Sequence, residues 1–219
     1  LRGGKTVSWI NVEGLVEVGK IQELGEAFGL HPMIMEDILN TGQRPKVEEF
    51  EDHIYIVLKM IRLDGERNVQ SEQVSMVLGD GYLITFQEAP GDVFDRIRER
   101  IRTGKGRVRK MGASYLAYAL MDAIVDNYFL VLEGLGDRME ELDALISRGS
   151  SPEVPGVIND LKGEMIFLRR SSWPMREMVN GLMRSEAAYL DDGLAIFLRD
   201  LYDHVVEISE TVETLRDVL

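Results

Sequence analysis

The chain has 219 residues, no Cys, and 25 Lys and Arg against 38 Asp and Glu, which gives a net charge of −13. This composition is typical of a globular protein with a sizeable core, and it excludes collagen-like, disulfide-stapled and low-complexity chains. A chain without Cys has no thiol chemistry and no Cys-based zinc site, and three His are too few for a His-rich metal cage.

The first 90 residues predict alternating strands and helices. Residues 6–12 are rich in β-branched side chains and predict a strand, residues 16–28 repeat apolar side chains at helical spacing, and His31-Pro32 opens a short helix to Leu39. Three more strands are predicted at residues 54–63, 72–78 and 82–87, and residues 43–46 are predicted to be a loop. These elements predict an α/β fold, in which helices cover both faces of a mixed sheet as an α/β/α sandwich.

Almost everything after residue 93 predicts helix. A short helix is predicted at residues 93–102, and residues 113–148 are predicted to form one helix of about 54 Å. Ser151 is predicted to cap the next helix, with Pro152 in its first turn, and Pro174 to kink or break it. The α/β part is therefore followed by long helices, the last of which forms a helical stalk.

The most apolar stretch lies within the long helix, at residues 111–132, where Asp122 and Asp126 interrupt it. A membrane-spanning helix needs about 20 residues with few or no charges. No segment of the chain is therefore predicted to cross a membrane, and no signal peptide pattern is visible.

The last helix has the most regular pattern in the chain. Its apolar residues alternate steps of four and three through Leu194, Leu198, Leu201, Val205, Ile208, Val212, Leu215 and Leu219. This heptad seam predicts self-association through the helix. No Gly, Asn or Pro stops the pattern, so we expect the helix to continue beyond Leu219.

The negative charge is concentrated in the second half of the chain. Residues 111–219 hold 9 basic and 20 acidic side chains, whereas residues 1–110 hold 16 and 18. Such a surface repels nucleic acid and attracts hard divalent cations such as Mg²⁺ or Ca²⁺. An acidic edge runs beside the heptad seam and consists of Asp200, Asp203, Glu207, Glu210 and Asp217. This edge is either a solvated helix face or, where two subunits meet, a contact that depends on metal.

The sequence contains no nucleophile elbow, Walker loop or dinucleotide-binding motif. Glu36-Asp37 could do acid–base work, but nothing nearby supplies a nucleophile or an oxyanion donor. His31, His53 and His204 match no metal-ligand spacing and are interpreted as structural or surface residues. We therefore expect that the protein is not an enzyme.

A basic cluster lies before the long helix. It contains Arg96, Arg98, Arg100, Arg102, Lys105, Arg107, Arg109 and Lys110. Nucleic acid, the inner surface of a membrane or an acidic partner would each suit such a cluster. Because the chain is so acidic, pairing with its own acidic helices is the favoured interpretation, and no nucleic-acid partner is expected.

Several motifs, taken in order, resemble the cytoplasmic domain of the CorA family of magnesium and cobalt transporters. They are His31-Pro32, Glu36-Asp37-Ile38-Leu39-Asn40, Gln43-Arg44-Pro45-Lys46, Ser71-Glu72-Gln73-Val74-Ser75, Gly91-Asp92-Val93-Phe94-Asp95, Arg98-Glu99-Arg100, Asp122, Asp126-Asn127-Tyr128-Phe129, Trp173-Pro174, Phe197-Leu198-Arg199-Asp200-Leu201-Tyr202-Asp203-His204 and Thr211-Val212-Glu213-Thr214. The ordered set covers nearly the whole chain and is therefore specific.

This resemblance implies a homopentameric funnel on the cytoplasmic side of the cell membrane. The implied regions are a sheet subdomain at residues 1–110, long helices packed on it at 111–193, and a stalk helix at 194–219, which is truncated before the transmembrane region. The two membrane helices and the Gly-Met-Asn signature of the family would follow Leu219. In the family, Mg²⁺ bound between neighbouring subunits holds the pore closed, and its loss opens the pore.

The resemblance also implies which carboxylates bind the regulatory metal. Asp37 and Asp200 form one site, Glu36 and Asp122 match a second site nearby, and Asp203 is a further candidate on the acidic edge. The regulatory ligand is Mg²⁺, with Co²⁺ or Ca²⁺ as surrogates. A weak site is expected, because Mg²⁺ keeps several of its waters and takes few protein ligands.

Two alternatives to this magnesium sensor stay open. The zinc-transporting branch of the same superfamily shares the architecture, although Glu36-Asp37 together with Asp200 favours the magnesium branch. A protein of another class would be a soluble scaffold that oligomerises through the heptad seam, with a solvated acidic edge and no metal role. A response to metal separates this scaffold from the sensor.

Overall fold

Five strands form one mixed sheet at the centre of the molecule. The computed structural model describes residues 6–149, 152–187, 190 and 192–219. The strands are β1 (Ser8–Glu13), β2 (Lys46–Glu49), β3 (His53–Leu63), β4 (Val69–Gly79) and β5 (Tyr82–Gln87). Their spatial order is β1-β5-β4-β3-β2, in which β1 is parallel to β5 and the other neighbouring pairs are antiparallel.

Helices lie on both faces of this sheet. They are α1 (Val18–Phe28), α2 (Pro32–Leu39), α3 (Asp95–Thr103), α4 (Ala113–Ser147), α5 (Val154–Arg184) and α6 (Ala195–Val218). One face packs with α1 and α2, and the other face packs with α4, where α5 and α6 complete a larger core. The predicted α/β sandwich with long helices after it is therefore confirmed.

The hairpin of β3 and β4 forms the middle of the sheet and is buried on both faces. In β3, Ile54 and Ile56 belong to the core on the α4 side, whereas Tyr55 and Val57 belong to the core on the α1–α2 side. Successive side chains of a strand point to opposite faces, so a strand that is buried on both faces forms a continuous apolar run. This explains why residues 54–58 show no polar alternation.

Local signals position α2, which carries two of the predicted metal ligands. The preceding helix α1 ends at Gly29, whose φ of 65° suits a residue without a Cβ. His31 then caps α2, because its Nδ1 accepts a hydrogen bond from the backbone N–H of Met33 at 3.2 Å. Glu36 and Asp37 consequently lie in the second half of this short helix.

The prediction of four strands is wrong, because β2 forms a fifth. Its four residues include a single apolar side chain, Val47, and the sequence pattern placed Lys46 in a loop. Strand formation depends on pairing as much as on residue type, and here Val47 pairs opposite Ile56 of β3. β2 lies at an edge of the sheet, where charged residues are common because they discourage pairing with other chains.

The start of α5 also differs from the prediction. The helix begins at Val154, so Pro155 lies in the first turn instead of Pro152, while the predicted cap Ser151 lies outside the described residues. The helix continues through Pro174 without a break. Met175 and Leu168 on either side of this proline are completely buried, and their packing outweighs the cost of one missing backbone hydrogen bond.

The helix α4 is long and apolar enough to cross a membrane by length and composition alone. Its most apolar window is 61% buried within the molecule. Residues such as Leu120, Ile124 and Tyr128 pack into the core on one face of the sheet. The apolar character of α4 is therefore explained by its position in the core.

The heptad seam lies inside the subunit rather than on its surface. Its members from Leu194 to Val212 are buried, and Leu215 and Leu219 pack against the same core, which α4 and α5 share. The expectation that this seam is a self-association surface is therefore wrong. A heptad pattern indicates that a helix packs against an apolar partner, but the partner can belong to the same chain.

Truncation of a seam residue should consequently destabilise the single chain. Leu201 is completely buried, and Leu201→Ala should lower the free energy of unfolding by about 2–5 kcal/mol. Urea-induced unfolding measures this change. Ile196→Ala is the matched control, because Ile196 lies on the same helix and is 72% exposed. A Leu201→Ala protein as stable as this control would contradict the packing of the seam within one chain.

Candidate metal centre

The helices α4 and α6 bring two carboxylates and one imidazole together. Asp122 and Asp126 lie four residues apart on α4 and therefore share one face of that helix. His204 lies on α6. One ligand atom of each residue lies within 4.8 Å of the others. These three residues, here called the α4/α6 cluster, are close enough to bind one metal ion together.

His204 is held by packing and has a nitrogen without a partner. Its ring contacts the ring of Phe129 on α4 edge to face, with the ring centroids 5.9 Å apart. Its Nδ1 is buried and has no hydrogen-bond partner among the described residues. The imidazole is therefore available as a ligand, and histidine is the commonest side-chain ligand of metals.

The surroundings of Asp122 raise the pKa of its carboxyl group to about 6. Burial is the main cause, the charge of Asp126 is the second, and the charge of Asp200 on α6 adds to both. His204 and a hydrogen bond with Tyr118 act in the opposite direction. A divalent cation would therefore compete with a proton at Asp122 in acidic solution.

The acidic edge of α6 lies next to this cluster. Asp200 and Asp203 are both exposed, and Asp200 is near enough to Asp122 to raise the pKa of that group. The ion pairs that α6 forms with described residues use Glu213 and Asp217. Within the described part of the chain, Asp200 and Asp203 are therefore unpaired and accessible to a ligand from outside the subunit.

Glu36 and Asp37 lie elsewhere, on α2. Glu36 is exposed, and Asp37 is half-buried. The Asp37 carboxylate is bound through both oxygens, because Oδ2 accepts from Lys46 Nζ at 2.5 Å and Oδ1 accepts from Gln43 Nε2 at 3.1 Å. In the single subunit, Lys46 therefore neutralises the charge of Asp37.

The sheet separates the two groups of predicted ligands within one subunit. α2 belongs to the core on one face, and α4 and α6 belong to the core on the other face. Asp122 and Asp200 influence each other electrostatically, whereas Glu36 and Asp37 are not among the groups that shift the pKa of Asp122. A site that combines both groups therefore needs two copies of the chain.

Asp126 and His204 were not predicted as ligands. The spacing of four between Asp122 and Asp126 was an available signal for a pair on one helix face. His204 was interpreted as a structural or surface residue, but the structure places it in the α4/α6 cluster. No spacing signal reveals this position, because 78 residues separate Asp126 from His204 along the chain.

The donor atoms of the two regions suit different cations. The α4/α6 cluster offers two carboxylate oxygens and one imidazole nitrogen, a mixed set that first-row transition metals such as Co²⁺ and Zn²⁺ bind well. Asp37 and the acidic edge offer only oxygen atoms, which hard cations such as Mg²⁺ prefer. The chain therefore provides ligands for both kinds of divalent ion.

The basic cluster does not pair with the acidic helices, as the favoured interpretation expected. Among the described residues, Arg98 is its one member with ion pairs, and its partners lie in β1 and around the start of α3. Arg107 stacks over the ring of Phe197, 5.2 Å from its centroid. The remaining members are exposed, so this interpretation is wrong for the described part of the chain.

A comparison with protein families gives a match over almost the whole chain. The model of a family described as CorA-like Mg²⁺ transporter protein matches residues 4–219. The cobalt/magnesium transport protein CorA of Thermotoga maritima is 42% identical over 219 residues, which are 100% of this chain and 62% of that protein. The chain thus spans less than two thirds of the length of this relative.

Solved structures with the same fold include a domain of a CorA protein and a domain of a ZntB protein. The soluble domain of CorA from Methanocaldococcus jannaschii has a TM-score of 0.83 and 22% identity, over 96% of this chain and 83% of that chain. The cytoplasmic domain of ZntB from Vibrio parahaemolyticus has a TM-score of 0.78 and 17% identity, over 98% and 85%. At such low identities these likenesses establish the fold alone.

The raised pKa of Asp122 should make the metal-free fold less stable as pH rises. The ordinary pKa of this group is 3.8 and its folded value is about 6, so between these values the folded state binds more protons than the unfolded state. Asp122→Asn removes this effect. At pH 7 the variant should be more stable than the wild type by about 1 kcal/mol, after allowance for solvent screening.

Thermal unfolding at several pH values, in buffer with a chelator, measures this difference in stability. The gain should shrink as the pH falls from 6 towards 4, because the folded state is then protonated at Asp122 and the unfolded state becomes so as the pH approaches its ordinary pKa of 3.8. Glu210→Gln, which removes an exposed charge from the acidic edge, is the control. If Asp122→Asn stabilised the protein equally at pH 6 and pH 4, this result would contradict the raised pKa of Asp122.

Proposed function

Because the chain belongs to the family of CorA-like Mg²⁺ transporter proteins, we propose that it is the metal-sensing cytoplasmic domain of a divalent cation channel. The regulatory ion is Mg²⁺, and Co²⁺ can replace it. Support for this choice comes from the related protein of Thermotoga maritima, which is named a cobalt/magnesium transport protein, and from the carboxylates of α2, α4 and α6.

The position of these carboxylates on opposite faces of the sheet is the observation that carries the proposal. Asp200 is exposed and unpaired among the described residues, next to Asp122. Asp37 is anchored on the opposite face. In the proposed assembly, Asp37 of one subunit and Asp200 of its neighbour hold one ion, and Glu36 and Asp122 form the second site nearby.

Electrostatics makes such a contact depend on the metal concentration. Two unit charges at 4 Å repel by roughly 4 kcal/mol at an effective dielectric constant of 20. A divalent cation between the carboxylates converts this repulsion into attraction. Mg²⁺ keeps several waters and needs few protein ligands, so the contact forms at high concentrations of Mg²⁺ and separates when the concentration falls.

We propose that five copies form a homopentamer around the pore, with α6 as the stalk. The membrane is reached through helices that follow Leu219, and the domain lies on the cytoplasmic side. Ions held between subunits keep the stalks together and the pore closed, and loss of the ions lets the stalks separate. The exposed acidic edge supports this mechanism, because it gives each stalk a surface that repels its neighbour without a cation.

A zinc-transporting relative is the second candidate, and one observation favours it. The α4/α6 cluster contains an imidazole, which is a common ligand of Zn²⁺. The domain also has the fold of the ZntB cytoplasmic domain. The scaffold without a metal role is the third candidate, and it is the outcome if no divalent cation changes the stability of the protein.

Removal of the Asp37 and Asp200 carboxylates should remove most of the stabilisation by Mg²⁺. Millimolar Mg²⁺ or Co²⁺ should raise the melting temperature of the full-length protein in detergent, because an ion that binds only the folded assembly stabilises it. The double variant Asp37→Ala with Asp200→Ala should lose most of the rise that Mg²⁺ produces. Differential scanning fluorimetry with increasing concentrations of each cation measures it.

The control for this experiment is the double variant Asp80→Ala with Glu99→Ala. It removes the same amount of charge at two exposed positions outside the proposed sites. This control should respond to metal as the wild type does. An unchanged response in the Asp37 and Asp200 double variant would contradict the assignment of the site.

Loss of the His204 imidazole should weaken the response to transition-metal ions but not the response to Mg²⁺. His204→Gln should weaken the stabilisation by Co²⁺ or Zn²⁺ several-fold and leave the stabilisation by Mg²⁺ nearly unchanged, because Mg²⁺ prefers oxygen ligands. The Mg²⁺ titration of the same variant is its internal control. Equal weakening for all three cations would mean that His204 supports the fold of the site and does not select the metal.

A further inference from the structure

Both oxygens of the Asp37 carboxylate are already engaged within the subunit. Gln43 Nε2 donates to Oδ1 at 3.1 Å, and Lys46 Nζ donates to Oδ2 at 2.5 Å. The side chains of Asp37 and Lys46 are each 23% exposed. An ion that reaches Asp37 from outside the subunit therefore meets a carboxylate whose charge Lys46 already neutralises.

Asp37 itself is held in a rigid frame. The backbone N–H of Gln43 donates to Gln73 Oε1 on β4, and Gln73 Nε2 donates to the carbonyl oxygen of Asp37, both at 3.1 Å. Lys59 Nζ holds the same loop by donating to the carbonyl oxygen of Thr41 at 2.5 Å. The loop between α2 and β2 is thus tied to the sheet, whereas Lys46 carries its charge on a four-carbon stem with several rotatable bonds.

Lys46 has a second carboxylate within reach. Its Nζ donates to Glu48 Oε1 at 2.7 Å, in addition to Asp37, and lies 5.6 Å from the centroid of the Tyr55 ring. The ammonium group can therefore release Asp37 while it remains paired with Glu48.

We propose that Lys46 is a resident competitor for the divalent cation at Asp37, and that its exchange between Asp37 and Glu48 sets the metal concentration at which the site is filled. This inference rests on the proposed function, because it takes Asp37 as a metal ligand. When no ion is bound, Lys46 neutralises Asp37. When an ion binds, Lys46 moves to Glu48 alone, because two cations repel each other at one carboxylate.

Because Lys46 competes with the ion, the site binds Mg²⁺ weakly even though its ligands are well arranged. Asp37 is pre-positioned by Gln43 and Gln73, which would by itself favour tight binding. Lys46 has to leave Asp37 when the ion binds. The free energy that this step requires raises the Mg²⁺ concentration at which the site is half filled. A sensor for an abundant cation needs such a threshold, since a tight site would stay filled at every concentration that the ion reaches.

A titration of the full-length protein in detergent micelles with Mg²⁺ tests the proposal. The melting temperature is recorded at each concentration, and the midpoint is the concentration that gives half of the total rise. Lys46→Met removes the competing charge and keeps an apolar stem over Tyr55. Its midpoint should be about fivefold lower than that of the wild type, the equivalent of about 1 kcal/mol for a partly exposed ion pair.

Glu48→Gln should shift the midpoint in the opposite direction, because Lys46 then has Asp37 as its remaining partner. The double variant Lys46→Met with Glu48→Gln identifies the cause of this shift. If Glu48 acts through Lys46, Glu48→Gln has no further effect once Lys46 is replaced. A general effect of the charge of Glu48 would persist in the double variant and would overturn the exchange between the two carboxylates.

Lys20→Met is the matched control for charge, because it removes a lysine that pairs with Glu17 at the start of α1. Its midpoint should equal that of the wild type. A Lys46→Met midpoint equal to or higher than that of this control would overturn the competition, even if Asp37→Asn abolishes the response and so supports the proposed function. An Asp37→Asn protein with a normal response would overturn both.

Lys46→Arg keeps the proposal testable if Lys46→Met does not fold. It retains the positive charge and the hydrogen bonds, so its midpoint should stay within about twofold of the wild type. Lys46→Gln then replaces Lys46→Met as the neutral variant. Circular dichroism without metal shows for each variant that the fold is intact. A neutral variant that folds and has the same midpoint as Lys46→Arg would overturn the proposal.

Discussion

Burial of the β3–β4 hairpin on both faces is the constraint on which the rest of the structure depends. Because β3 is apolar on both sides and β4 is buried over most of its length, helices must cover the sheet twice, α1 and α2 on one face and α4 on the other. The same arrangement keeps Asp37 away from Asp122 and Asp200. A subunit alone therefore cannot assemble the proposed metal site, and in the proposed function regulation by metal would be a property of the contact between subunits.

The carboxylates on the two faces of the sheet have different surroundings. Asp37 has an internal cation, Lys46, which satisfies it in the absence of metal. Among the described residues, His204 is the basic side chain that acts on Asp122, and burial together with the charges of Asp126 and Asp200 raises the pKa of Asp122. One half of the proposed site is thus neutral and the other half is strained by its own charge. In the proposed function, a divalent cation would relieve the repulsion in the second half and would displace Lys46 from Asp37 in the first.

Periodic patterns in the chain predicted which residues are buried but not always what they pack against. The heptad from Leu194 to Leu219 correctly predicted an apolar stripe on a long helix, yet the stripe packs on α4 and α5 of the same chain. The strand β2 has no apolar alternation and forms because it pairs with β3 at the edge of the sheet. In both cases the missing information was the identity of the neighbour, which a local pattern does not contain.

The sequence by itself determined the order of most helices and strands, the α/β class and the family resemblance, and it predicted a set of carboxylates as metal ligands. These features follow from side-chain periodicity, turn residues and short motifs, all of which act over a few positions. Only the tertiary structure decided that His204 joins Asp122 and Asp126, that Lys46 holds Asp37, and that the sheet separates the two groups. The physical reason is that these relations depend on distances in space between elements that lie far apart along the chain.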